Sequence, residues 1–420
     1  MTPTPRAAAL LAVLGLLVLV VPPAVAVLAG VAVLAAIAVD AASVRRAPAI
    51  DREVSRVIAR GQPVVFRLRP DQRDGRRVRV RQAAPADVRI EPEAATGELE
   101  ARLTGERRGR HELPGAASVS LGPLGLARWH HPDGPPQELL VYPDLPTARR
   151  LTLLVRRGAL AGGHATRGPL GLGTEFESVR DYLPDDDVRQ LNWRATARLG
   201  RPMSNQYRVE RDREIICLID SGRLMGTPLG DRVVVGGGTR LDAALDAVTA
   251  VALVADELGD RCGAIAFDSG VRAELRPSRR GGRRVIRALF DLEPTTRDSD
   301  FELACARVGA SRRALVLLFT DLVDLAAARS LLAAAPLLTR RHAVVIVSAE
   351  DPDLRRASTR PPANRADAYE TVAAVDVLET RLAVAAQLRR RGAEVIEAPP
   401  ELMALRCVQA YLSAKARARL

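Results

Sequence analysis

Asp220 and Asp321 stand where an α/β chain keeps its chemistry. Asp220 ends the apolar run Ile215-Ile216-Cys217-Leu218-Ile219, and Asp321 follows Leu315 to Phe319 and Thr320. Both runs read as buried strands, and ligands of open α/β sheets gather at the carboxyl ends of strands. The groups that would make either aspartate catalytic are missing. A phosphate-binding loop needs Gly-Lys followed by Ser or Thr, and the only lysine is Lys415, near the end of the chain. Gly236-Gly237-Gly238 precedes a helical pattern and reads as a turn. The histidines are His111, His130, His131, His164 and His342, with no H-E-x-x-H among them, and no G-x-S-x-G elbow occurs. Asp321 and Asp324 form a carboxylate pair without a nucleophile. The expectation is a protein that is not an enzyme and has no cofactor.

Composition narrows the class further. The chain has 420 residues, 47% of them hydrophobic and 27% charged, which suits two or three folded domains. The formal charge is +12, which points first to nucleic acid. Aromatic residues are only 3% and the arginines are spread along the whole chain, so stacking platforms are scarce and no basic patch forms. With Lys415 the only lysine, the charge reads as an arginine-rich coding bias together with an anionic membrane surface nearby. Cys217, Cys262, Cys305 and Cys407 have no metal-ligand spacing and lie in apolar stretches, so buried free thiols are expected.

The elements that would position these residues begin with a membrane segment, residues 1–44. Ala7 to Val21 and Ala24 to Val39 are apolar, separated by Pro22-Pro23. One helix over both would be about 50 Å long, too long for a hydrocarbon core of about 30 Å, so a transmembrane hairpin is predicted. Arg6 precedes it, Arg45, Arg46, Arg52 and Arg56 follow it, and its turn is uncharged. That distribution places the soluble domains in the cytoplasm of a multi-pass inner-membrane protein. A cleaved signal ending at Ala24-Val25-Ala26, or a single span, is the competing reading.

Residues 45–157 are read as a β-sandwich, introduced by a short amphipathic helix over 51–60. Val64, Phe66 and Leu68, then Val78 and Val80, alternate with arginines, a period of two that marks half-buried strands. Residues 158–214 comprise a glycine-rich connector to 173 and a dense polar segment. Residues 215–420 alternate strands and helices: strands at 215–219, 263–267, 315–319, 343–347 and 394–397, and helices at 241–258, 283–289, 326–338, 370–391 and 400–416. This pattern predicts a doubly wound, mostly parallel sheet.

The segment Arg180-Asp181-Tyr182-Leu183-Pro184-Asp185-Asp186-Asp187-Val188-Arg189-Gln190-Leu191-Asn192-Trp193-Arg194-Ala195-Thr196-Ala197-Arg198 is the most specific stretch of the chain. It resembles the signature of the bacterial domain-of-unknown-function family fifty-eight. Gly173-Thr174-Glu175-Phe176 before it and Glu210-Arg211-Asp212 after it match as well, whereas Asp185 stands where the family pattern has Gly. The resemblance implies a membrane-anchored adaptor that works with a MoxR-type AAA+ ATPase in assembling or maturing envelope or metal-containing proteins. By its residues alone, Asp185 to Asp187 would cap a helix reaching Leu199, with Val188, Leu191, Ala195 and Leu199 on one apolar face. Eight arginines face nine acidic residues between 174 and 214, a mixed-charge network. Arg180, Tyr182, Asp186, Asp187, Arg189, Trp193, Arg194 and Arg198 are the candidate interaction residues. Two roles compete for them, a staple between domains and a partner surface. Trp193 lies off the apolar face and would pack on a second domain, so Trp193→Ala is expected to cost about 3–5 kcal/mol of stability.

The α/β region resembles the von Willebrand factor A fold. That resemblance implies a divalent cation held by an Asp-x-Ser-x-Ser loop, a hydroxyl from another loop and a distant Asp. Here Asp220-Ser221-Gly222-Arg223-Leu224 keeps the Asp but loses both serines; Ser299 and Asp321 complete a degenerate set. Magnesium binding is expected to be weak or absent, with Arg223 supplying positive charge instead. A metal-dependent adhesion module is the alternative function.

Overall fold

The computed structural model describes residues 2–17, 22–71, 76–160, 175–183, 186, 188–208, 212–229, 238–309, 312–322 and 325–417. Two compact units divide them, residues 1–142 and 143–420. The expected end of the β domain at 157 therefore moves to 142. The helix over 145–156 packs on a helix of the second unit, and its Asp144 cap also donates its N–H to Asp246, 2.8 Å away.

The first unit opens with β1 (Thr2–Pro3), α1 (Pro5–Leu17) and α2 (Pro23–Ser43). The stretch Ala24–Ser43 within α2 is long and apolar enough to cross a membrane; α1, with 13 residues, is shorter than a span needs. Ala7 of α1 and Ile37 of α2 are buried in one small cluster with Leu126. The strands are β2 (Ile50–Glu53), β3 (Val57–Ala59), β4 (Val64–Pro70), β5 (Arg77–Arg81), β6 (Val88–Glu91), β7 (Ala94–Thr96), β8 (Leu99–Gly105), β9 (Gly109–Leu113), β10 (Ala117–Leu121), β11 (Ala127–His131) and β12 (Gln137–Tyr142). They form sheets ordered β1-β11-β10-β5-β7, β2-β4-β8-β6 and β3-β12-β9. Phe66, Leu68, Val78, Val80, Leu99 and Leu103 fill a common core, while the intervening arginines point out. This is the period-two alternation at work. The helix expected over 51–60 is instead β2 and β3. Ile50 to Glu53 pairs antiparallel with β4, and Val57 to Ala59 pairs parallel with β12, because sheet pairing overrides a weak local helical pattern.

The second unit holds α3 (Leu145–Arg156), the hairpin β13 (Glu175–Asp181) and β14 (Met203–Arg208) around α4 (Trp193–Leu199), and then an α/β sheet. That sheet has β15 (Glu214–Asp220), β16 (Arg261–Phe267), β17 (Val271–Arg279), β18 (Ala314–Phe319), β19 (Ala343–Ala349) and β20 (Glu394–Ala398) in the order β17-β16-β15-β18-β19-β20. All neighbours are parallel except β16 and β17. The central runs are buried on both faces, so they read as continuous apolar stretches. Covering helices are α5 (Arg240–Leu258), α6 (Gly282–Leu289), α7 (Phe301–Gly309), α8 (Leu325–Thr339), α9 (Pro352–Thr359), α10 (Arg365–Arg390) and α11 (Pro400–Ala416). Helices α3, α6 and α11 adjoin α5 on one face; α7, α8 and α10 cover the other, over Ile216, Leu218, Val316 and Leu318. The Thr239–Asp242 capping box expected at the head of α5 is present, with both reciprocal bonds.

Candidate functional site

The carboxyl ends of β15 and β18 meet a cleft of about 310 Å³ lined by Asp220, Arg223, Leu224, Ser299, Thr320 and Asp321 among others. Asp220 is buried and fully engaged. Its Oδ1 accepts from the Ser299 hydroxyl at 2.5 Å and from the Gly222 N–H at 2.8 Å; its Oδ2 accepts from the Thr320 hydroxyl at 2.7 Å. Burial pushes its carboxyl above the ordinary carboxylate range, against the pull of these donors. The folded state thus holds this proton more tightly than the unfolded chain. Its contribution to stability falls as pH rises from the unfolded value through the folded one.

The predicted trio Asp220, Ser299 and Asp321 is brought to one cleft, but not as one ligand set. Asp321 is turned toward two buried guanidinium groups. Arg381 bonds its Oδ1, and Nε of Arg240 lies 3.1 Å from its Oδ2. Arg240 also bonds Asp351 at 2.9 Å, and Ser348 donates to Asp321 at 3.3 Å. The positive charge expected from Arg223 comes from Arg240 and Arg381 instead; Arg223 is exposed and pairs with Asp298.

Glycine at 222 has a local reason. A Cβ there would stand 2.1 Å from Oγ of Ser299, so the hydroxyl of Ser299 occupies the space a serine at 222 would need. Leu224 lines the cleft where a second serine would offer oxygen. Among the described residues, no group of three His, Cys, Asp or Glu side chains is arranged to hold a metal ion. One carboxylate and two hydroxyls, with the distant aspartate tied to two arginines, do not fit a tight hard-cation site. Titrating magnesium or manganese into the full-length chain should give no affinity tighter than about millimolar, the weak end for oxygen sites. Micromolar binding that disappears in Asp220→Ala would reverse that reading. Thr320 is a site residue that the predicted trio omits, and its place beside Asp321 at a strand end is the signal for it.

The signature segment folds differently from the single helix expected. Val188–Gln190 is a 3-10 turn, and α4 starts only after Asn192, whose Oδ1 accepts from the Ala195 N–H at 2.9 Å and whose Nδ2 donates to Asn205 at 2.7 Å. Asp186 does not cap α4. It takes both guanidinium nitrogens of Arg180, at 2.7 and 2.5 Å, and the Leu183 N–H at 2.9 Å. These contacts hold its carboxyl below the usual range, the Arg180 bonds most of all. Tyr182 donates to the Asp186 carbonyl at 2.9 Å. Asp187, like Asp185, lies outside the described residues, and Arg189 falls within the 3-10 turn.

The expected apolar face is not buried. Val188 and Leu199 are exposed, and Trp193 is 71% exposed. Arg194 and Arg198 are exposed beside it. Trp193 thus gains no burial from the residues around it in its own unit, and the large stability loss expected for Trp193→Ala does not arise there.

All four cysteines are free and buried as expected, and burial pushes the Cys305 thiol up to about 12, so they offer no nucleophile to either region.

Three comparisons bear on this geometry. Over 184 residues the chain is 27% identical to "Uncharacterized protein Rv1480" of Mycobacterium tuberculosis and to "Uncharacterized protein Mb1516" of Mycobacterium bovis, covering 41% of this chain. The chain spans about half, 55%, of the length of these curated relatives. A crystal structure titled "Uncharacterized Membrane Spanning Protein" from Vibrio fischeri is similar at 12% identity and a TM-score of 0.16, covering 49% of this chain and 98% of that one. Residues 178–363, from the signature hairpin through the strand-end cleft, match the family model described as "Protein of unknown function DUF58".

Proposed function

We propose that this chain is a membrane-anchored, non-enzymatic adaptor whose signature hairpin receives a soluble protein partner, a MoxR-type AAA+ ATPase. The observation that carries the reading is Trp193, held open to solvent on a short helix that Asn192 caps and ties to Asn205. A large aromatic flanked by arginines is the residue pattern of binding hot spots. The strand order, with β15 central and an antiparallel edge at β17, supports a von Willebrand factor A-like domain as the platform. The partner brings the ATP chemistry that a chain without a phosphate-binding lysine lacks. Assembly or maturation of envelope or metal-containing proteins is the process in which such a pair would act. Detergent-solubilised full-length chain should capture the MoxR-type ATPase of its own cell; failure to capture it with or without nucleotide would reject the partnership.

The anchor is α1 and α2 as a hairpin, with the domains in the cytoplasm. Arginines stand at both ends of the pair. Reporter fusions after residue 60 and at the C-terminus should be active only as cytoplasmic reporters. Activity of a periplasm-only reporter at either point would refute this topology.

A further inference from the structure

Both ends of the apolar helix pair are fastened to one turn of the β domain. Thr4, just before α1, donates its hydroxyl to the Gly125 carbonyl at 2.6 Å and its N–H to the Leu126 carbonyl at 3.0 Å. Asp40, near the end of α2, accepts the N–H groups of Leu124, Leu126 and Ala127 at 2.8, 2.7 and 2.8 Å. A Cβ at Gly122 would stand 2.2 Å from this carboxylate, so the turn closes only around glycine there. The turn therefore sits at the level where the apolar helices begin, and Leu124 at its tip is 55% exposed.

Between α1 and this turn lies an open cleft of about 380 Å³, lined by Arg6, Ala9, Leu10, Val13, Leu124 and Leu126. Its walls are apolar except for one guanidinium. Asp40 is the only acidic residue among residues 1–50, and its oxygens are taken by the turn. Among the described residues, no acidic side chain pairs with Arg6. A single unpaired cation at the mouth of an apolar groove on a membrane helix matches a molecule with an anionic head and an apolar tail. A free anion would leave the apolar walls unused, and a neutral hydrocarbon would leave Arg6 uncompensated.

We propose that this cleft binds an anionic phospholipid, its phosphate on Arg6 and one acyl chain along Leu10 and Val13. The proposal rests on the membrane-anchor reading and goes beyond it by naming a discrete lipid site. The test is native mass spectrometry of the full-length chain in detergent, with equal amounts of dioleoyl phosphatidylglycerol and dioleoyl phosphatidylcholine added. The wild type should retain phosphatidylglycerol about fivefold over phosphatidylcholine, the preference one juxtamembrane arginine confers. Arg6→Gln should bring the ratio close to unity, Leu124→Ser should reduce retention of both lipids, and Arg417→Gln should change neither. Millimolar inorganic phosphate should not displace the lipid. Equal retention by the wild type, an unchanged preference in Arg6→Gln, or displacement by inorganic phosphate would overturn the lipid site. Carbonate extraction of membranes separates the two readings. A chain that stays in the membrane without lipid preference rejects only the site, whereas a chain released into the soluble fraction rejects the anchor and the site together.

Discussion

Asp260→Ala should be among the most destabilising single substitutions in the second unit. Asp260 is fully buried, and its Oδ2 accepts from both the Tyr411 hydroxyl and the Lys415 ammonium, while its Oδ1 accepts the Arg213 N–H at 3.1 Å. The contact joins the loop between α5 and β16 to the last helix, so it closes the domain's C-terminus onto its sheet. Burial and the facing carboxylate together push the Tyr411 phenol well up, so it stays a donor. Removing the carboxylate takes from the chain's only lysine, which is buried, the ion pair it makes with Asp260, and breaking a buried pair from one side costs about 3–5 kcal/mol. For a domain of this size that corresponds to a fall in Tm of about 6–20 °C. The variant Lys415→Met should lose less, because Asp260 keeps the Tyr411 hydroxyl and the Arg213 N–H. The double replacement Asp260→Asn with Lys415→Met should recover most of the loss, since a neutral, well-packed pair removes the desolvation penalty. Thermal melts of the detergent-solubilised variants decide this. A fall under about 1 kcal/mol for Asp260→Ala would show that water relieves the lysine, and that the contact is no anchor for α11.

Legibility followed local physics. Glu214 to Asp220 was readable because a parallel strand covered on both faces is a continuous apolar run. Helix α11 was readable from Pro400 to Ala416 because proline opens it and apolar positions recur at helical spacing. The antiparallel edge β17 was not. Its sequence Val271-Arg272-Ala273-Glu274-Leu275 alternates, but it follows β16 after only three residues, and the expectation of alternating strands and helices passed over it. In the cleft, Asp220 was visible as a polar residue ending an apolar strand. The pairing of Asp321 with Arg240 and Arg381 was not, since those arginines lie 81 and 60 residues away in sequence, on α5 and α10. Nothing in an arginine's neighbours along a helix says that it will be buried. The signature segment misled for a related reason: Asp185 to Asp187 is a good helix-capping string, yet Asp186 closes a loop with Arg180, and Asn192 takes the capping role.

Trp193→Ala should leave the fold untouched and remove the partner. The indole is 71% exposed at the first turn of α4, so its truncation gives up little burial, and alanine has the higher helix propensity. The expected change in stability lies within about 0.5 kcal/mol, the range for surface positions. Capture of the ATPase should fall by about 30-fold or more, the equivalent of the roughly 2 kcal/mol that defines a hot spot. Arg194→Ala, at the exposed neighbour, should weaken capture less. Asn192→Ala serves as the contrast. It removes the cap of α4 and the bond to Asn205, so it should lower both Tm and capture, by way of the helix that presents the indole. Melting curves and pull-downs on the same three preparations separate the cases. A Trp193→Ala chain that melts early would mean that the indole is packed in the native protein, and the staple would be the right account. A chain that melts normally and still captures the ATPase at wild-type strength would move the partner surface elsewhere on the domain.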